Sequence, residues 1–160
     1  MYFFFLLLAV ACTEDRDFSD VADIRFLTEH FQDTDSVASY LKKEGYQYKG
    51  WVHAEGLNDF YGSHVYHKNC TANKKGEPVS LGKGNGSVVE LASVGFGPCV
   101  VVKVFNAEIH QHLVNEIVKM GFKKEQETPE DDTGTYTAKD IAIDAGKFGQ
   151  QYFLTIRRNI

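Results

Sequence analysis

The chain has 160 residues and a formal net charge of −5, and 43% of its residues are hydrophobic, including 12 Phe and 8 Tyr. This aromatic content excludes an intrinsically disordered chain, and three prolines are too few for a Pro-rich linker. The sequence holds no basic patch that would predict nucleic-acid binding. The length suits one domain with a hydrophobic core, or two small fused repeats.

The N-terminal segment is an uninterrupted apolar run of 11 residues that ends at Cys12. The residues just before the cysteine are Leu8-Ala9-Val10-Ala11, and acidic sequence follows it. This arrangement resembles the signal segment of bacterial lipoproteins. The resemblance covers the first twelve residues and implies a signal segment of residues 1–11, cleavage before Cys12, and attachment of lipid such as palmitate to Cys12. It also implies a location in the bacterial cell envelope, with membrane attachment through the lipid alone and the protein facing the periplasm or the exterior.

Two alternatives remain open for this segment, namely the cleaved signal peptide of a secreted protein and a buried N-terminal strand. A transmembrane helix needs about 18 or more apolar residues, and this run has 11. Signal peptides usually begin with positive charge, whereas the first basic residue of this chain is Arg16.

The sequence after the apolar run is strongly acidic. Residues 13–36 hold eight acids and two arginines, a charge of −6, whereas residues 37–160 carry +1. We predict that residues 12–19 form an acidic tether, because anionic lipid would repel this segment and hold the domain away from the bilayer. A solvated arm and first helix would explain the same charge.

Three helices are predicted from apolar positions that recur at spacings of three and four. With their N-caps, they are 20–31 with Ser19, 36–44 with Asp35, and 107–120 with Asn106. The last two helices end in the same way, at Gly45-Tyr46 and at Gly121-Phe122. A left-handed glycine followed by an apolar residue predicts a Schellman cap at both ends.

Each of these helix ends precedes three predicted strands. The strands are 46–54, 87–94 and 99–105 after the second helix, and 122–127, 134–145 and 151–158 after the third. Phe-Gly turns at 96–97 and 148–149 lie 52 residues apart and suggest that the two sets are copies of one unit.

The predicted fold is therefore α+β, with two tandem helix–strand–strand–strand repeats and an antiparallel sheet that has the helices packed on one face. The first repeat spans 20–106 and carries an insertion at about 55–86, and the second spans 107–160. This architecture resembles the tandem helix-plus-three-strand modules of periplasmic inhibitors of the β-lactamase-inhibitor type and of PepSY-like proteins.

Histidines and a cysteine recur at steps of three in His64-Val65-Tyr66-His67-Lys68-Asn69-Cys70, which is a donor set that zinc can use. On a strand, however, residues three apart point to opposite faces, so this spacing does not predict a metal site. The glycine-rich residues 82–87 lack the spacing of a phosphate-binding loop. We predict no catalytic residue, no metal site and no cofactor.

If Cys12 carries lipid, two cysteines remain in the chain, Cys70 and Cys99. An oxidising compartment permits a disulfide between them, although a core of this size does not require one.

The function predicted from these features is non-enzymatic binding of a protein partner, with no role for nucleic acid. The insertion is predicted to carry the binding surface, because amphipathic aromatic residues are enriched at interfaces. The candidate binding residues are Trp51, His53, Phe60, Tyr61, His64, Tyr66 and His67. The alternative functions are an inhibitor or immunity protein against a toxin or hydrolase, and a small metal-dependent hydrolase that uses His53, His64 and His67. The alternative role for Trp51 and Tyr66 is to fill the core.

Overall fold

The computed structural model describes residue 18 and residues 20–53, 62–82, 84–94, 97–125 and 134–159. These residues form an α+β fold, as predicted, in which the helices are α1 (Ile24–His30), α2 (Thr34–Lys43) and α3 (Ala107–Lys119). The strands are β1 (Gln47–His53), β2 (Gly62–Lys68), β3 (Cys70–Ala72), β4 (Pro78–Ser80), β5 (Ser87–Val94), β6 (Gly97–Val104), β7 (Lys123–Lys124), β8 (Gly134–Ala138), β9 (Ile141–Phe148) and β10 (Gln151–Arg158).

The starts of the first two helices differ from the prediction. Asp23 is the N-cap of α1, and its Oδ1 accepts a hydrogen bond from the Arg25 N–H at 2.8 Å. Asp33, and not Asp35, is the N-cap of α2. Asp20 and Asp23 both precede α1, and Asp33 and Asp35 lie on either side of the first residue of α2, and aspartate is a residue type that suits an N-cap. The residue type alone therefore does not fix where these two helices begin, whereas Asn106 is the N-cap of α3 as predicted.

The predicted ends of α2 and α3 are confirmed. Gly45 has a φ of +84° and Gly121 a φ of +93°. The Tyr46 N–H donates to the Leu41 carbonyl at 2.9 Å, and the Phe122 N–H donates to the Ile117 carbonyl at 3.3 Å. These bonds, together with one from each glycine N–H to the preceding turn, are those of a Schellman motif.

The main sheet has eight antiparallel strands in the order β1-β2-β5-β6-β10-β9-β8-β7, and β3 and β4 form a separate two-stranded sheet. Four strands of the main sheet follow α2 and four follow α3, so the predicted three-strand unit is wrong. The segment predicted as one strand, 134–145, is a hairpin that turns at Lys139-Asp140. Lys139 adopts a φ of +54°, which is uncommon for a residue with a Cβ, and no glycine marks this turn in the sequence.

The predicted insertion is also corrected, because β2 lies between β1 and β5 in the sheet. Val65 and Tyr66 of β2 are buried, so this strand belongs to the core structure. Lys68 pairs with Ser87, and the connection between them carries the β3–β4 hairpin. The connection 69–86 between β2 and β5 is long, whereas β8 and β9 are joined by only two residues.

The two Phe-Gly turns do not occupy the same place in their hairpins. Gly97 is the first residue of β6 and pairs with Val94, whereas Gly149 lies between the paired residues Phe148 and Gln151. The hairpins themselves are equal in length, with eight-residue strands that begin 54 residues apart, and not 52.

The helices pack on one face of the main sheet and form the hydrophobic core with it. Leu27, Leu41 and Ile117, one from each helix, are fully buried. The strand residues in the same core alternate along each strand, as expected for a sheet with one buried face. They include Val89, Leu91, Val100, Val102, Val104, Ile143, Ala145, Leu154 and Ile156.

Candidate functional site

The second face of the main sheet, which we call the open face, carries no helix among the described residues. The β3–β4 hairpin lies over part of it and encloses a groove of about 800 Å³ with the sheet. The groove crosses β1, β2, β5 and β6 and reaches the turn between β9 and β10.

The walls of the groove are apolar and exposed. Val52 of β1 is 54% exposed, Val79 of β4 is 42% exposed and Phe148 at the end of β9 is 84% exposed. Val65 and Val88 form a buried floor between them. Exposed apolar side chains that gather around a concavity are typical of binding sites, whereas isolated ones are common on any surface.

Charged side chains lie within the same groove. Lys103 Nζ on β6 bonds Glu90 Oε1 on β5, and both side chains are partly buried. Lys49 Nζ on β1 bonds the neutral amide oxygen of Gln47 at 3.0 Å. The charge of Lys103 is therefore paired within the fold, whereas no carboxylate among the described residues pairs with Lys49.

His67 of β2 also lines the groove. Partial burial lowers the pKa of His67 below its usual value, and the positive charge of Lys49 lowers it further. The Glu90 carboxylate raises the pKa of His67, whereas the positive charge of Lys103 lowers it. At neutral pH the imidazole is thus uncharged and can donate or accept a hydrogen bond.

A second ion pair lies on the open face in the other half of the sheet. Arg157 of β10 donates to Asp144 of β9 through Nε at 2.6 Å, and the Thr135 hydroxyl donates to the same carboxylate at 2.9 Å. Asp144 follows Glu90 by 54 residues and Arg157 follows Lys103 by the same number. Both pairs join diagonal neighbours of a hairpin, so one arrangement of acid and base occurs twice on this face.

The structure brings three of the predicted binding residues together on the other face. The Trp51 ring lies 4.7 Å from that of His64 and 6.4 Å from that of His53. The Tyr48 hydroxyl bonds His64 Nδ1 at 2.9 Å. Trp51 can lie this close to the chain because Gly62 has no Cβ, which would approach the indole ring to 2.8 Å.

The remaining predicted binding residues do not join this aromatic cluster. Tyr66 is buried in the core, and His67 is on the open face in the groove. Trp51 is 37% exposed, so of the two aromatic residues considered for the core only Tyr66 fills it. Phe60 and Tyr61 lie outside the described residues, as does Cys12.

The predicted histidine sets do not form a metal centre in the described part of the chain. His64 and His67 point to opposite faces of β2, as the alternation of a strand requires. Within the described ranges no three His, Cys, Asp or Glu side chains come close enough to hold a metal ion.

The disulfide between Cys70 and Cys99 is not formed, and both thiols are free. Cys70 Sγ bonds the carbonyl of Ser87 at the start of β5, whereas Cys99 pairs with Ala92 further along the same strand. Ser87 and Ala92 are five residues apart on β5, which corresponds to about 16 Å along a strand. A disulfide requires that the two Cα atoms lie within about 7 Å of each other. Burial raises the pKa of both thiols, which keeps them protonated and unreactive.

Sequence reasoning missed most of the groove. Most of its walls and charges come from residues that were assigned only to strands or turns, namely Lys49, Val52, Glu90, Lys103 and Phe148, whereas His67 and Val79 fall within the predicted insertion. The 54-residue spacing of the two acid–base pairs was a signal in the sequence that could have located the open face.

Comparison of the chain with known protein families, with characterised proteins and with solved structures finds no match. In the described part of the chain, no helix has both the length and the apolar character that a membrane crossing needs.

Proposed function

We propose that this protein is a non-enzymatic recognition module that binds a protein partner through the open face of its sheet. The observation that carries the proposal is the groove under the β3–β4 hairpin, with Val52, Val79 and Phe148 exposed in its walls. Apolar side chains of this size contribute binding energy only when a partner removes them from water. The two ion pairs nearby would supply the polar contacts that fix the orientation of a partner.

The proposal extends to location. The apolar segment that ends at Cys12 supports a lipoprotein anchored in the bacterial envelope, and the acidic residues that follow would hold the domain away from anionic lipid. Mass spectrometry of the mature protein from its native host tests this part, since a lipid-modified Cys12 is expected at the N-terminus. An unmodified Cys12 would contradict the anchor and leave the recognition proposal intact.

We also propose that the two halves of the main sheet are tandem repeats, each with one helix (α2 or α3) and four strands of that sheet, to which the first half adds α1 and the β3–β4 hairpin. The paired Schellman ends of α2 and α3 and the acid–base pairs at a spacing of 54 support this proposal. A duplicated unit would explain the strand order of the main sheet. The last strand of each half, β6 or β10, lies at the centre of the sheet, and the two strands pair with each other there. The interaction surface would then span both repeats.

The recognition function is tested by affinity capture from an envelope extract of the source organism with purified protein and two variants. Phe148→Ser changes the most exposed apolar residue of the groove wall. Val118→Ser is the matched control, since Val118 is 52% exposed on α3, on the helix side of the sheet. We expect a partner that wild type and Val118→Ser retain and that Phe148→Ser loses. A partner lost with Val118→Ser and retained by Phe148→Ser would place recognition on the helix side and refute the proposal.

A further inference from the structure

The groove and the hairpin above it carry positive charge on a protein whose net charge is −5. Among the described residues, the groove is lined by Lys49, Lys103, Glu77 and Glu90, and the hairpin adds Lys74 and Lys75, an excess of two positive charges. Most of the acidic excess of the chain lies in residues 13–36, and none of the described residues in that range lines the groove. The region therefore attracts carboxylates although the whole protein repels them.

The two acids of the groove are already engaged within the fold. Glu90 bonds Lys103, and the Glu77 carboxylate accepts a hydrogen bond from the Asn73 side-chain amide at 2.8 Å. Lys49, by contrast, contacts the neutral Gln47 amide. An ammonium group bound only to an amide gains electrostatic energy from an arriving carboxylate, whereas a paired ammonium group gains little.

The position of Lys49 relates this charge to the apolar walls. Lys49 and Val52 belong to the same edge strand and line the groove together with Val79 and Phe148. A ligand that fills the groove with an apolar side chain thus has a cation beside it.

We propose that the groove receives a protein segment in which a large apolar side chain is flanked by carboxylates, with the apolar side chain against Val52, Val79 and Phe148 and a carboxylate on Lys49. This inference rests on the proposed function and adds the chemistry of the partner. The edge strand β1 does not provide an alternative through strand pairing with another chain. A bulge between Tyr48 and Gly50, where Gly50 has a φ of +115°, interrupts its ladder and blunts the edge.

The experiment uses the full chain, labelled with ¹⁵N, and three short blocked peptides with Asp-Phe-Asp, Lys-Phe-Lys or Asp-Ala-Asp at the centre of a Gly-Ser background. Each peptide is titrated to millimolar concentration while the amide chemical shifts of the protein are measured. The residues whose shifts change locate the binding site, and the size of the change at each concentration gives the affinity. We expect Asp-Phe-Asp to shift resonances of groove residues such as His67 and Lys103, and the other two peptides to bind at least about threefold more weakly, the range that one exposed ion pair contributes.

Two variants complete the design. Lys49→Gln should weaken the binding of Asp-Phe-Asp by about threefold, whereas Lys43→Gln on α2 removes an equivalent charge from the helix side and should change nothing. The His67 titration gives an independent readout. Burial by any bound peptide lowers the His67 pKa, whereas a carboxylate at Lys49 offsets part of the positive charge that lowers it, so the pKa should be higher in the Asp-Phe-Asp complex than in the Lys-Phe-Lys complex.

Several results would overturn the inference. Equal binding of Lys-Phe-Lys excludes the role of the carboxylate, and equal binding of Asp-Ala-Asp excludes the role of the apolar side chain. No groove shift at millimolar Asp-Phe-Asp also overturns it. The inference is also overturned if anionic phospholipid vesicles shift the groove resonances and none of the peptides does. That result would assign the open face to membrane binding. The recognition function would survive these results if a captured partner still depended on Phe148 and not on Lys49.

Discussion

The hydroxyl oxygen of Tyr46 lies 2.6 Å from that of Ser87, and both side chains are buried between the helices and the sheet. The same Tyr46 oxygen accepts a hydrogen bond from the Ala22 N–H at 2.9 Å. One phenol thus joins the strand β5, the end of α2 and the segment that leads into α1. Its hydroxyl is the shared partner of two polar groups that the fold removes from water.

Tyr46→Phe should therefore destabilise the protein by about 1–3 kcal/mol, because it leaves the Ser87 hydroxyl and the Ala22 N–H without their partner. Urea unfolding followed by circular dichroism measures this loss. Tyr48→Phe is the control, since Tyr48 is exposed and its hydroxyl bonds the exposed His64. Equal effects of the two substitutions would show that the buried network contributes nothing beyond an exposed hydrogen bond.

Burial also raises the pKa of Tyr46 to about 12. In the unfolded chain this phenol ionises near its ordinary pKa of 10, so the unfolded state loses its proton first. The contribution of Tyr46 to stability is complete below pH 10 and falls as the pH rises from 10 toward 12. We expect the free energy of unfolding to decline over this range in wild type and to decline less in Tyr46→Phe. Identical profiles would contradict a buried, protonated phenol.

Gly45→Ala and Gly121→Ala should each destabilise the protein by about 1 kcal/mol. No atom lies within 4 Å of a Cβ added at either position, so the loss arises from the positive φ and not from steric overlap. Asn tolerates this conformation better than Ala, so Gly45→Asn should lose less stability than Gly45→Ala. Thermal unfolding of the four proteins distinguishes backbone strain from packing, since packing would penalise the larger Asn more.

His110 on α3 predicts a loss of stability in acid. Its Nε2 atom is buried without a hydrogen-bond partner in the described structure, and burial lowers its pKa although a bond with the Phe153 backbone raises it. Because the folded pKa lies below the unfolded value of about 6.5, the unfolded state binds the proton first. Stability is therefore complete above pH 6.5 and falls as the pH decreases from there to the folded pKa.

The substitution His110→Leu should reduce this pH dependence, and His53→Gln on the exposed strand β1 controls for the loss of one histidine. Urea unfolding at pH 7.5 and pH 5 provides the comparison. His67 shifts in the same direction, so a smaller slope should remain in His110→Leu and decrease again in the double variant. An unchanged slope in His110→Leu would show that its imidazole is hydrated in solution.

The β3–β4 hairpin should be dispensable for folding and necessary for binding. Lys68 and Ser87 are already paired, so replacing residues 69–86 with Asn-Gly closes β2 and β5 with a two-residue turn that suits a hairpin. We expect cooperative unfolding to remain and the partner of the open face to be lost, because Val79 no longer forms a groove wall. Replacement of residues 58–84, which removes β2, should prevent folding and serves as the opposing control. A shortened chain that still binds would exclude the hairpin from the site.

The sequence by itself determined the features that depend on neighbouring residues. The apolar spacing of α3, the Asn106 cap and the two glycine helix ends follow from local geometry, and the structure reproduces them. The α+β class follows from the order of helices and strands. Local geometry also explains why the turn at Lys139-Asp140 was missed, since its positive φ falls on a residue type that rarely adopts it.

Only the tertiary structure decided which strands are central and which faces remain open. Val65 and Tyr66 are the two large apolar residues of β2, and they are adjacent and not alternating. Its sequence therefore reads as a loop until β1 and β5 supply its hydrogen bonds on both sides. Glu90 and Lys103 form an ion pair because the β5–β6 register places them as diagonal neighbours. Lys49 lines the same groove because β1 pairs with β2, which in turn pairs with β5. Contacts of this kind depend on strand register and on the placement of the hairpin, neither of which is encoded within a short stretch of the chain.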